Sequence, residues 1–317
     1  MPERHINVIV GKNNAGKTTL LEGIYYCSCL KSFKSGPADS LIMSSEKKLQ
    51  ISIKSSKITD IHSLCIEKKL NSSNSANIND KKATVKDLML TMPVIALTFG
   101  TENAVTQSSE YRRGLLDWGA FHVEPSYLSL YKQYMKTLKQ RNNLLKSTST
   151  DSLQFWTEKL GSIGSELDDK RSKYFELLSH EYTNYIDLIQ SYSDEVYDDI
   201  QNTSISYYRG WEPGVDLLES LSKSYKKDSA IKYTSVGPHR GDILFTKDNA
   251  GIKDVSSMST QIILSLLVVL SQSEVFHVKH GFRPIILIDD IFFGIDDKNL
   301  KLVINLLLDS KAQSFVS

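Results

Sequence analysis

The chain has 317 residues, of which 40% are hydrophobic, and its 38 basic and 37 acidic side chains leave a formal net charge of +1. This length allows one large core or two moderate ones, and the near-neutral charge gives no support for a globally basic nucleic-acid binder. Cys27, Cys29 and Cys65 are too few for a disulfide framework or a zinc site, so we expect reduced thiols. We find no signal peptide and no run long enough to span a bilayer, and we predict a soluble, cytoplasmic protein.

The first predicted elements are a strand, a loop and a helix. Residues 6–10, INVIV, are a short β-branched run, and apolar side chains at helical spacing follow Lys17. The loop between them, GKNNAGKT, fits G-x-x-x-x-G-K-[ST], in which backbone N–H groups and a helix N-terminus hold phosphate. The sequence therefore predicts ATP binding by Gly11, Lys12, Asn13, Asn14, Ala15, Gly16, Lys17, Thr18 and Thr19. Lys17 is expected to reach the β and γ phosphates and Thr18 to bind Mg²⁺, whereas the alternative is a glycine-rich turn before a core helix.

The middle of the chain is predicted to hold an inserted helical region. Residues 71–82 are polar and turn-rich, which predicts an exposed loop or hairpin tip, and residues 125–199 have helical periodicity. One face of the first predicted helix is assigned Lys132, Lys136, Lys139, Arg141 and Lys146. This basic face is either a solvated helix surface or a track for DNA phosphates. Arg112 and Arg113 are further candidates for DNA contact, although the aromatic side chains that follow them are typical of a core.

A second apolar strand is predicted near the end of the sequence. Residues 284–288 are expected to form a central parallel strand that ends in Asp289 and Asp290. In P-loop ATPases the first acidic residue supports Mg²⁺, and the second, here the candidate catalytic residue Asp290, polarises the attacking water. The alternative is an aspartate pair that caps the next turn. We also predict that residues 262–270, IILSLLVVL, form a buried helix segment.

Several segments resemble the RecF family of bacterial DNA replication and repair proteins, which belongs to the ABC/SMC-like ATPases. YRRGLLDWGAFHVEP is similar to its R-R-x-F-L-D-W-x-x-F-H-V-E-P block, LKQRNNLLK to its L-x-Q-R-N-x-L-L-K, and RGWEP to its G-W segment. TSVGPHRGDILF, the most specific match, resembles T-x-x-G-P-H-R-x-D and contributes His239, Arg240 and Asp242. Their role is open between architecture of the head and nucleotide-coupled motion, and on chemistry alone His239 is expected to be a satisfied buried histidine. LIDDIFFGIDD resembles the family's L-x-D-D-x-x-S-E-L-D, and the matches keep the family's order over nearly the whole chain.

The resemblance implies an α/β fold: a P-loop ABC/SMC-like ATPase head with a mixed sheet, flanking helices and an inserted helical lobe. The implied domains are residues 1–100 with the P-loop, residues 101–205 as the helical lobe, and residues 206–317 with the signature-like and acidic-strand regions. It implies ATP and Mg²⁺ as cofactors, an ATP-dependent homodimer, and binding to single-stranded and gapped double-stranded DNA. RecR and RecO are the implied partners, in a pathway that loads RecA and supports SOS induction.

The signature motif departs from the family pattern. The family's S-R-G-Q is MSTQ here, so Met258 and Thr260 replace the serine and the glycine that contact the partner's γ-phosphate. Methionine cannot donate a hydrogen bond, and a Cβ at the glycine position crowds the approach. Gln261 is retained, and a hydroxyl of Ser257 or Ser259 could partly substitute for the missing serine.

The D-loop differs as well, since Phe293 and Gly294 replace S-E although Asp296 remains. Losing one transition-state donor costs about 100-fold or more in rate, so ATP hydrolysis stays open while ATP binding is predicted. Three functions therefore compete: a weak RecF-like ATPase, a hydrolysis-deficient ATP-binding DNA clamp or decayed paralogue, and an unrelated P-loop kinase. The family's first strands and last helix have no counterpart in this sequence, and we expect a chain truncated at both ends.

Overall fold

Contacts in the structure, a computed structural model, group the chain into two units. Unit 1 comprises Met1–Asn103, Ser191–Val196 and Ser257–Ser317, and unit 2 comprises Ala104–Gln190 and Tyr197–Ser256. Strands and helices are numbered in chain order. The structure describes residues 2–12, 14–33, 38–43, 45–57, 60–99, 103–147, 152–248 and 250–317.

Unit 1 contains a parallel sheet with buried central strands. Its strands are β1 (Ile6–Val8), β6 (Val94–Thr98), β10 (Ile285–Asp289) and β11 (Ser314–Val316). They lie in the order β1–β11–β10–β6, and each neighbouring pair is parallel. The apolar run of β10 is buried on both faces, which confirms the predicted parallel strand. Parallel pairing brings the carboxyl ends of β1, β10 and β11 to one edge of the sheet, where ligands bind in open α/β sheets.

A second sheet of unit 1 is antiparallel. Its strands are β2 (Lys48–Lys57), β3 (Asp60–Lys69), β4 (Ser75–Ile78) and β5 (Lys81–Lys82), in that order. Asn79 and Asp80 join β4 to β5 with φ angles of 48° and 63°, the conformation that two-residue hairpin turns require. The segment 71–82 is therefore a hairpin with two short strands. Leu64 and Ile66 on β3 point into the core of this sheet.

Helices cover the sheets of unit 1. They are α1 (Lys17–Cys29), α2 (Val85–Thr91), α10 (Met258–His280) and α11 (Asp297–Asp309), with a 3₁₀ turn at Ala38–Leu41. The predicted buried segment 262–270 is confirmed, because each of its residues is buried within α10. Among the described residues, α10 alone is long and apolar enough to cross a membrane, but 83% of that apolar window is buried. Such burial is typical of a core helix.

Unit 2 is mainly helical. Its helices are α3 (Ser109–Val123), α4 (Tyr127–Lys146), α5 (Leu153–Gln190), α7 (Leu217–Lys223), α8 (Tyr225–Ile231) and α9 (Ile252–Val255). A small sheet is formed by β7 (Thr203–Tyr208), β8 (Asp242–Lys247) and β9 (Ala250–Gly251), and Pro238–Arg240 is a 3₁₀ turn. α6 (Asp194–Ile200) begins among residues of unit 1 and ends among residues of unit 2.

The contact units differ from the predicted division at the second boundary. Residues 206–256 were assigned to the ATPase head, whereas they group here with the helical residues of unit 2. The physical reason is pairing and packing, since β8 pairs with β7 over Asp242–Lys247 and packs against α3. The division into functional domains stays a prediction.

Candidate nucleotide-binding site

The loop between β1 and α1 has the backbone geometry of a phosphate-binding turn. Asn14 and Gly16 adopt φ angles of 64° and 87°, and left-handed residues in such a loop turn successive N–H groups toward one side. A glycine relieves crowding at position 11, because a Cβ there would lie 3.1 Å from the Ala15 Cβ. Asn13 lies outside the described residues, and the other residues of the segment 11–16 are exposed. The loop is therefore accessible to a ligand.

The first turn of α1 favours an anion. The helix begins at Lys17 directly after Gly16, with no side-chain cap and no acidic residue in its first turn. Uncapped N–H groups and the positive end of the helix dipole attract phosphate. Lys17 Nζ donates to the carbonyl oxygens of Gly11 at 3.0 Å and Lys12 at 3.3 Å, which holds its ammonium group over the loop. Thr19 is exposed at the same end of the helix.

Thr18 and Asp289 meet beside this loop. Thr18 Oγ1 donates to Asp289 Oδ1 at 3.0 Å, although 271 positions separate the two residues. Asp289 ends β10 and is 1% exposed. A hydroxyl and a carboxylate are hard oxygen ligands, and Mg²⁺ typically uses one or two carboxylates together with waters and substrate phosphates. Two protein oxygens therefore fit an ion that is shared with a nucleotide. Within the described ranges, no group of three or more His, Cys, Asp or Glu side chains is placed to hold a metal.

Ser317 completes this cluster and was not singled out from the sequence. Its Oγ donates to Asp289 Oδ1 at 2.7 Å and accepts from the backbone N–H of Asp290 at 3.3 Å. The residue is buried and follows β11, the strand that lies between β1 and β10. The only signal in the sequence was the strand-like character of SFV, which brings the next residue to the same sheet edge.

Asp290 differs from its neighbour in exposure and backbone conformation. It is exposed, and its φ angle is 58°. Left-handed conformations are uncommon outside glycine, although aspartate tolerates them better than most residues. Asp289 is therefore fixed in the sheet edge, while Asp290 faces solvent beside it. Its role as the catalytic residue stays a prediction.

The signature-like residues begin α10. Ser257 is the N-cap: its Oγ accepts from Thr260 N at 3.2 Å and lies 2.9 Å from Thr260 Oγ1. Ser259 Oγ donates to the carbonyl oxygen of Gly294 at 3.1 Å. Gln261 is buried. Both serine hydroxyls that were considered as substitutes for the missing signature serine are therefore engaged in contacts within unit 1.

Two of the departures from the family pattern, Met258 in the signature-like segment and Gly294 in the D-loop, lie against each other. Gly294 has a φ angle of 72°, and a Cβ there would lie 2.2 Å from Met258 Sδ and 3.0 Å from its Cγ. The Met258 side chain thus occupies the space that a side chain at position 294 would need. Asp296 caps α11 by accepting from the backbone N–H of Asn299 at 2.9 Å, and this hydrogen bond lowers the pKa of Asp296.

The family-motif residues of unit 2 form an ion pair, a hydrogen bond and a ring contact within that unit. Arg112 pairs with both carboxylate oxygens of Asp242 at 2.7 Å each, a bidentate arrangement. Arg113 Nη1 donates to the carbonyl oxygen of Gly241 at 2.9 Å. Arg240 lies over the Tyr233 ring, with 5.1 Å from Cζ to the ring centroid. These contacts link α3 to the segment that precedes β8.

His239 is held as a neutral imidazole. Its Nε2 lies 3.0 Å from the carbonyl oxygen of Thr234, and its Nδ1 lies 2.7 Å from Tyr134 Oη. A carbonyl only accepts, so Nε2 carries the proton and Nδ1 accepts from the tyrosine hydroxyl. Burial lowers the pKa of His239 to about 4, so the ring stays neutral at physiological pH.

Known proteins resemble the chain over most of its length. No family model matches it. The DNA replication and repair protein RecF of Francisella tularensis subsp. tularensis is 29% identical over 314 residues, 98% of this chain and 87% of the relative, and RecF of subsp. novicida matches equally. A structure of the recombination mediator protein RecF-ATP in the RecFOR pathway has a TM-score of 0.81 at 24% identity, over 98% of this chain and 85% of that one. These comparisons support a protein of the RecF family.

The fold prediction is confirmed by the same comparisons. An Smc head domain from Pyrococcus furiosus has a TM-score of 0.54 at 16% identity and covers 99% of this chain and 83% of that one. The RecF and Smc likenesses show an ABC/SMC-like ATPase fold with a parallel sheet and flanking helices. The RecF relatives support a protein of DNA replication and repair, which argues against the unrelated P-loop kinase.

One candidate DNA contact has to be corrected. Arg141 was grouped with the basic face of α4, but its side chain is 0% exposed. Its Nη1 donates to Asp228 Oδ2 at 2.8 Å and to Thr234 Oγ1 at 2.7 Å, and its Nε donates to Thr157 Oγ1 at 3.1 Å. A guanidinium enclosed in this way cannot reach a DNA phosphate in the folded protein. The Q-R-N motif of the family serves packing of α4 here.

The lysines of α4 are placed as the sequence analysis expected. Lys132, Lys136, Lys139 and Lys146 are exposed. Arg112 and Arg113 are partly buried in the contacts with β8 described above, which directs their guanidinium groups into unit 2. Lys136 and Lys139 therefore remain as the exposed candidates for DNA contact, and that role stays a prediction.

Proposed function

We propose that the chain binds ATP with Mg²⁺ and acts as an ATP-dependent DNA-binding protein in replication and recombinational repair. The observation that carries this proposal is the hydrogen bond of 3.0 Å between Thr18 Oγ1 and Asp289 Oδ1. It joins the end of the phosphate-binding loop to the acidic strand, the two parts of the sequence that a P-loop nucleotide site brings together. Solved RecF proteins with bound ATP support the same ligand.

Each residue of the site has a distinct task in this proposal. The N–H groups of the loop and of the first turn of α1 bind the phosphates, and Lys17 neutralises the β and γ phosphate charge. Thr18 and Asp289 hold Mg²⁺, which when bound offsets charge that develops on the phosphate oxygens. Asp290, exposed beside Asp289, orients water toward the terminal phosphate.

We propose that hydrolysis is slow. The family's signature serine is Met258 in this chain, and the nearby hydroxyl of Ser257 is used to cap α10. A protein that lacks a donor to the transition state retains binding but loses about 100-fold or more in rate. ATP then acts mainly as a ligand that favours one conformation or one assembly state.

The partners in this proposal follow from the family. DNA, single-stranded and gapped double-stranded, is the substrate, and Lys136 and Lys139 on α4 offer exposed charge for its phosphates. RecR and RecO, an ATP-dependent homodimer, assistance to RecA loading and SOS induction, and a cytoplasmic location complete the proposal. The solved RecF neighbours are described as parts of the RecFOR pathway, which supports these partners.

Two measurements test the proposal on the full chain. The first is binding of a fluorescent ATP analogue with and without Mg²⁺, with Lys17→Ala and Asp289→Asn as variants. The second is steady-state ATP hydrolysis with and without gapped DNA. We expect Mg²⁺-dependent binding that both variants weaken, together with slow turnover that gapped DNA stimulates. Unchanged nucleotide binding in both variants would show that this loop and strand do not form the site.

A hydrolysis-deficient DNA clamp is the second candidate, and the packing of Met258 on Gly294 favours it. Such a clamp binds DNA only with ATP present but shows no turnover above that of the Lys17→Ala variant. DNA-stimulated turnover that Lys17→Ala abolishes would exclude the clamp. The two candidates share the binding site and differ only in this rate.

A further inference from the structure

One face of the antiparallel sheet in unit 1 carries unassigned positive charge. Pairing of β2 with β3 runs from Lys48↔Lys69 to Lys57↔Asp60, so directly paired residues share a face. The face with Leu64 and Ile66 is buried in the core. The opposite face carries four exposed lysines, which we call the basic sheet face: Lys48, Lys54, Lys69 and Lys82.

The sheet register sets the dimensions of this face. Lys48 and Lys54 are six residues apart on β2, which is about 20 Å along a strand. Lys82 on β5 pairs with Asn77, whose partner on β3 is Cys65, so Lys82 lies three strands from β2, about 14 Å away. The lysines therefore spread over a surface comparable in length to half a turn of a nucleic-acid duplex, which is about 34 Å per turn.

Apart from Glu67, Cys65 and Ile61, the remaining outward side chains are small hydrogen-bonding groups. They are the hydroxyls and amides of Gln50, Ser52, Ser56, Ser63, Ser75 and Asn77. Half to two-thirds of the hydrogen bonds in protein–DNA complexes go from such side chains, lysine and arginine to phosphate and sugar. The described part of this face has no aromatic side chain on which a base could stack, which disfavours a single strand.

Glu67 shows how two of the lysines can hold one anion. Its Oε1 lies 3.2 Å from Lys69 Nζ and its Oε2 lies 3.4 Å from Lys48 Nζ. Hydrogen bonds from Lys69 and then Lys48 lower the pKa of Glu67. The two ammonium groups thus converge on a carboxylate that projects from the face itself. A phosphate oxygen offers the same charge and acceptor geometry, and Glu67 opposes its approach as a like charge.

We propose that the basic sheet face binds the phosphate backbone of duplex DNA and that Glu67 limits its affinity. The proposal rests on the proposed function, because it takes DNA as the partner of the chain. An acidic protein partner fits less well, since specific protein interfaces centre on clusters of apolar or aromatic anchors, and Ile61 is the only exposed large apolar side chain on the described part of this face. Binding is independent of sequence, because the contacts reach phosphates and not base edges.

The test compares two triple variants of the full chain that remove the same charge. The sheet-face variant is Lys54→Ala, Lys69→Ala and Lys82→Ala. The control variant replaces exposed lysines of unit 1 that lie outside this sheet: Lys279→Ala, Lys301→Ala and Lys311→Ala. Fluorescence anisotropy with a labelled 30-base-pair duplex and with the matching single strand is measured over a series of salt concentrations with ATP and Mg²⁺ present.

We expect the sheet-face variant to bind the duplex ~10- to 100-fold more weakly than the control variant. The slope of log K against log salt should fall by about 1 for each lysine removed. Glu67→Gln should bind the duplex about two- to fivefold more tightly than wild type. Circular dichroism and binding of the ATP analogue should be unchanged in all three variants, because the replaced side chains are on the surface.

Three results would overturn the inference. Equal duplex affinity in the two triple variants would show that net charge, and not this face, governs binding, and it would leave the proposed function standing. A loss confined to the single strand would contradict the duplex assignment. Absence of DNA binding by the wild type, with ATP binding intact, would refute both this inference and the DNA-binding function.

Discussion

The buried ion pair of unit 2 makes a sharp prediction about Arg141. Both Arg141 and Asp228 are 0% exposed, and 2.8 Å separates Nη1 from Oδ2. Asp228 also accepts from Ser235 N at 3.0 Å, Ser235 Oγ at 2.6 Å and Ser224 Oγ at 3.1 Å. Replacing Arg141 with methionine removes the positive partner but leaves these three donors on the carboxylate.

The expected magnitude follows from what each substitution leaves behind. Breaking a buried pair by removing one partner costs about 3–5 kcal/mol in free energy of unfolding. Arg141→Met should lie near 3 kcal/mol, because three neutral donors still stabilise the buried carboxylate. Asp228→Leu should lie near 5 kcal/mol, because it leaves a guanidinium without an anion and Ser235 N without an acceptor. The double variant should recover part of this loss, because no unpaired charge remains.

Urea unfolding followed by tryptophan fluorescence measures the change in unfolding free energy of unit 2. The chain has three tryptophans, Trp118, Trp156 and Trp211, and all lie in unit 2. Lys136→Met on the exposed face of the same helix is the matched control and should change stability by less than about 0.5 kcal/mol. The reasoning would be refuted if Arg141→Met left the unfolding curve unchanged and instead lowered DNA affinity with a smaller salt slope.

Three further predictions concern the nucleotide site and the histidine of unit 2. Asp289→Asn should lower Mg²⁺-dependent affinity for ATP by about 10–100-fold while leaving affinity in EDTA unchanged, and titration of the analogue measures this. The pKa of His239 is about 4 in the folded protein and about 6.5 in the unfolded chain. The contribution of the neutral ring to stability is therefore fully present above about pH 6.5 and is lost as the pH falls toward 4. His239→Gln should therefore remove up to about 1.4 kcal/mol per pH unit of slope in unfolding free energy between those values; an unchanged slope would assign it to other groups. Gly294→Ala should destabilise unit 1 by about 1–3 kcal/mol, and Met258→Ala should reduce that loss if the two side chains compete for one space.

The parts of the fold that were predictable from sequence are those with local signals. The phosphate-binding loop combines fixed glycine positions with a strand before it and a helix after it, so the motif and its context agree. The strand before Asp289 and the buried segment of α10 were predictable because continuous apolar runs need burial on all sides. The contact between Thr18 and Asp289 followed from the rule that parallel strands end at one edge.

The position of Arg141 shows where the sequence argument failed. Lys132, Lys136 and Lys139 follow helical spacing, whereas Arg141 comes two residues after Lys139 and therefore lies on the other side of the helix. Counting charge along a helix without applying its period placed a buried arginine on a solvated face. Its partner, Asp228, is 87 positions away on a short helix with no pattern to mark it, so the pair could not have been found from the sequence.

The departures from the family pattern at Met258 and Gly294 are better understood as one change than as two. A side chain at position 294 and the Met258 side chain cannot both occupy the present space, since a Cβ on Gly294 would lie 2.2 Å from Met258 Sδ. A side chain at position 294 would therefore require Met258 to move, and glycine at that position leaves the space to the methionine. Ser259 adds a hydrogen bond of 3.1 Å to the Gly294 carbonyl oxygen across the same contact. The start of α10 and the loop after Asp290 therefore form one packed and internally satisfied contact, so the departures at positions 258 and 294 have to be tested together and not as two separate losses.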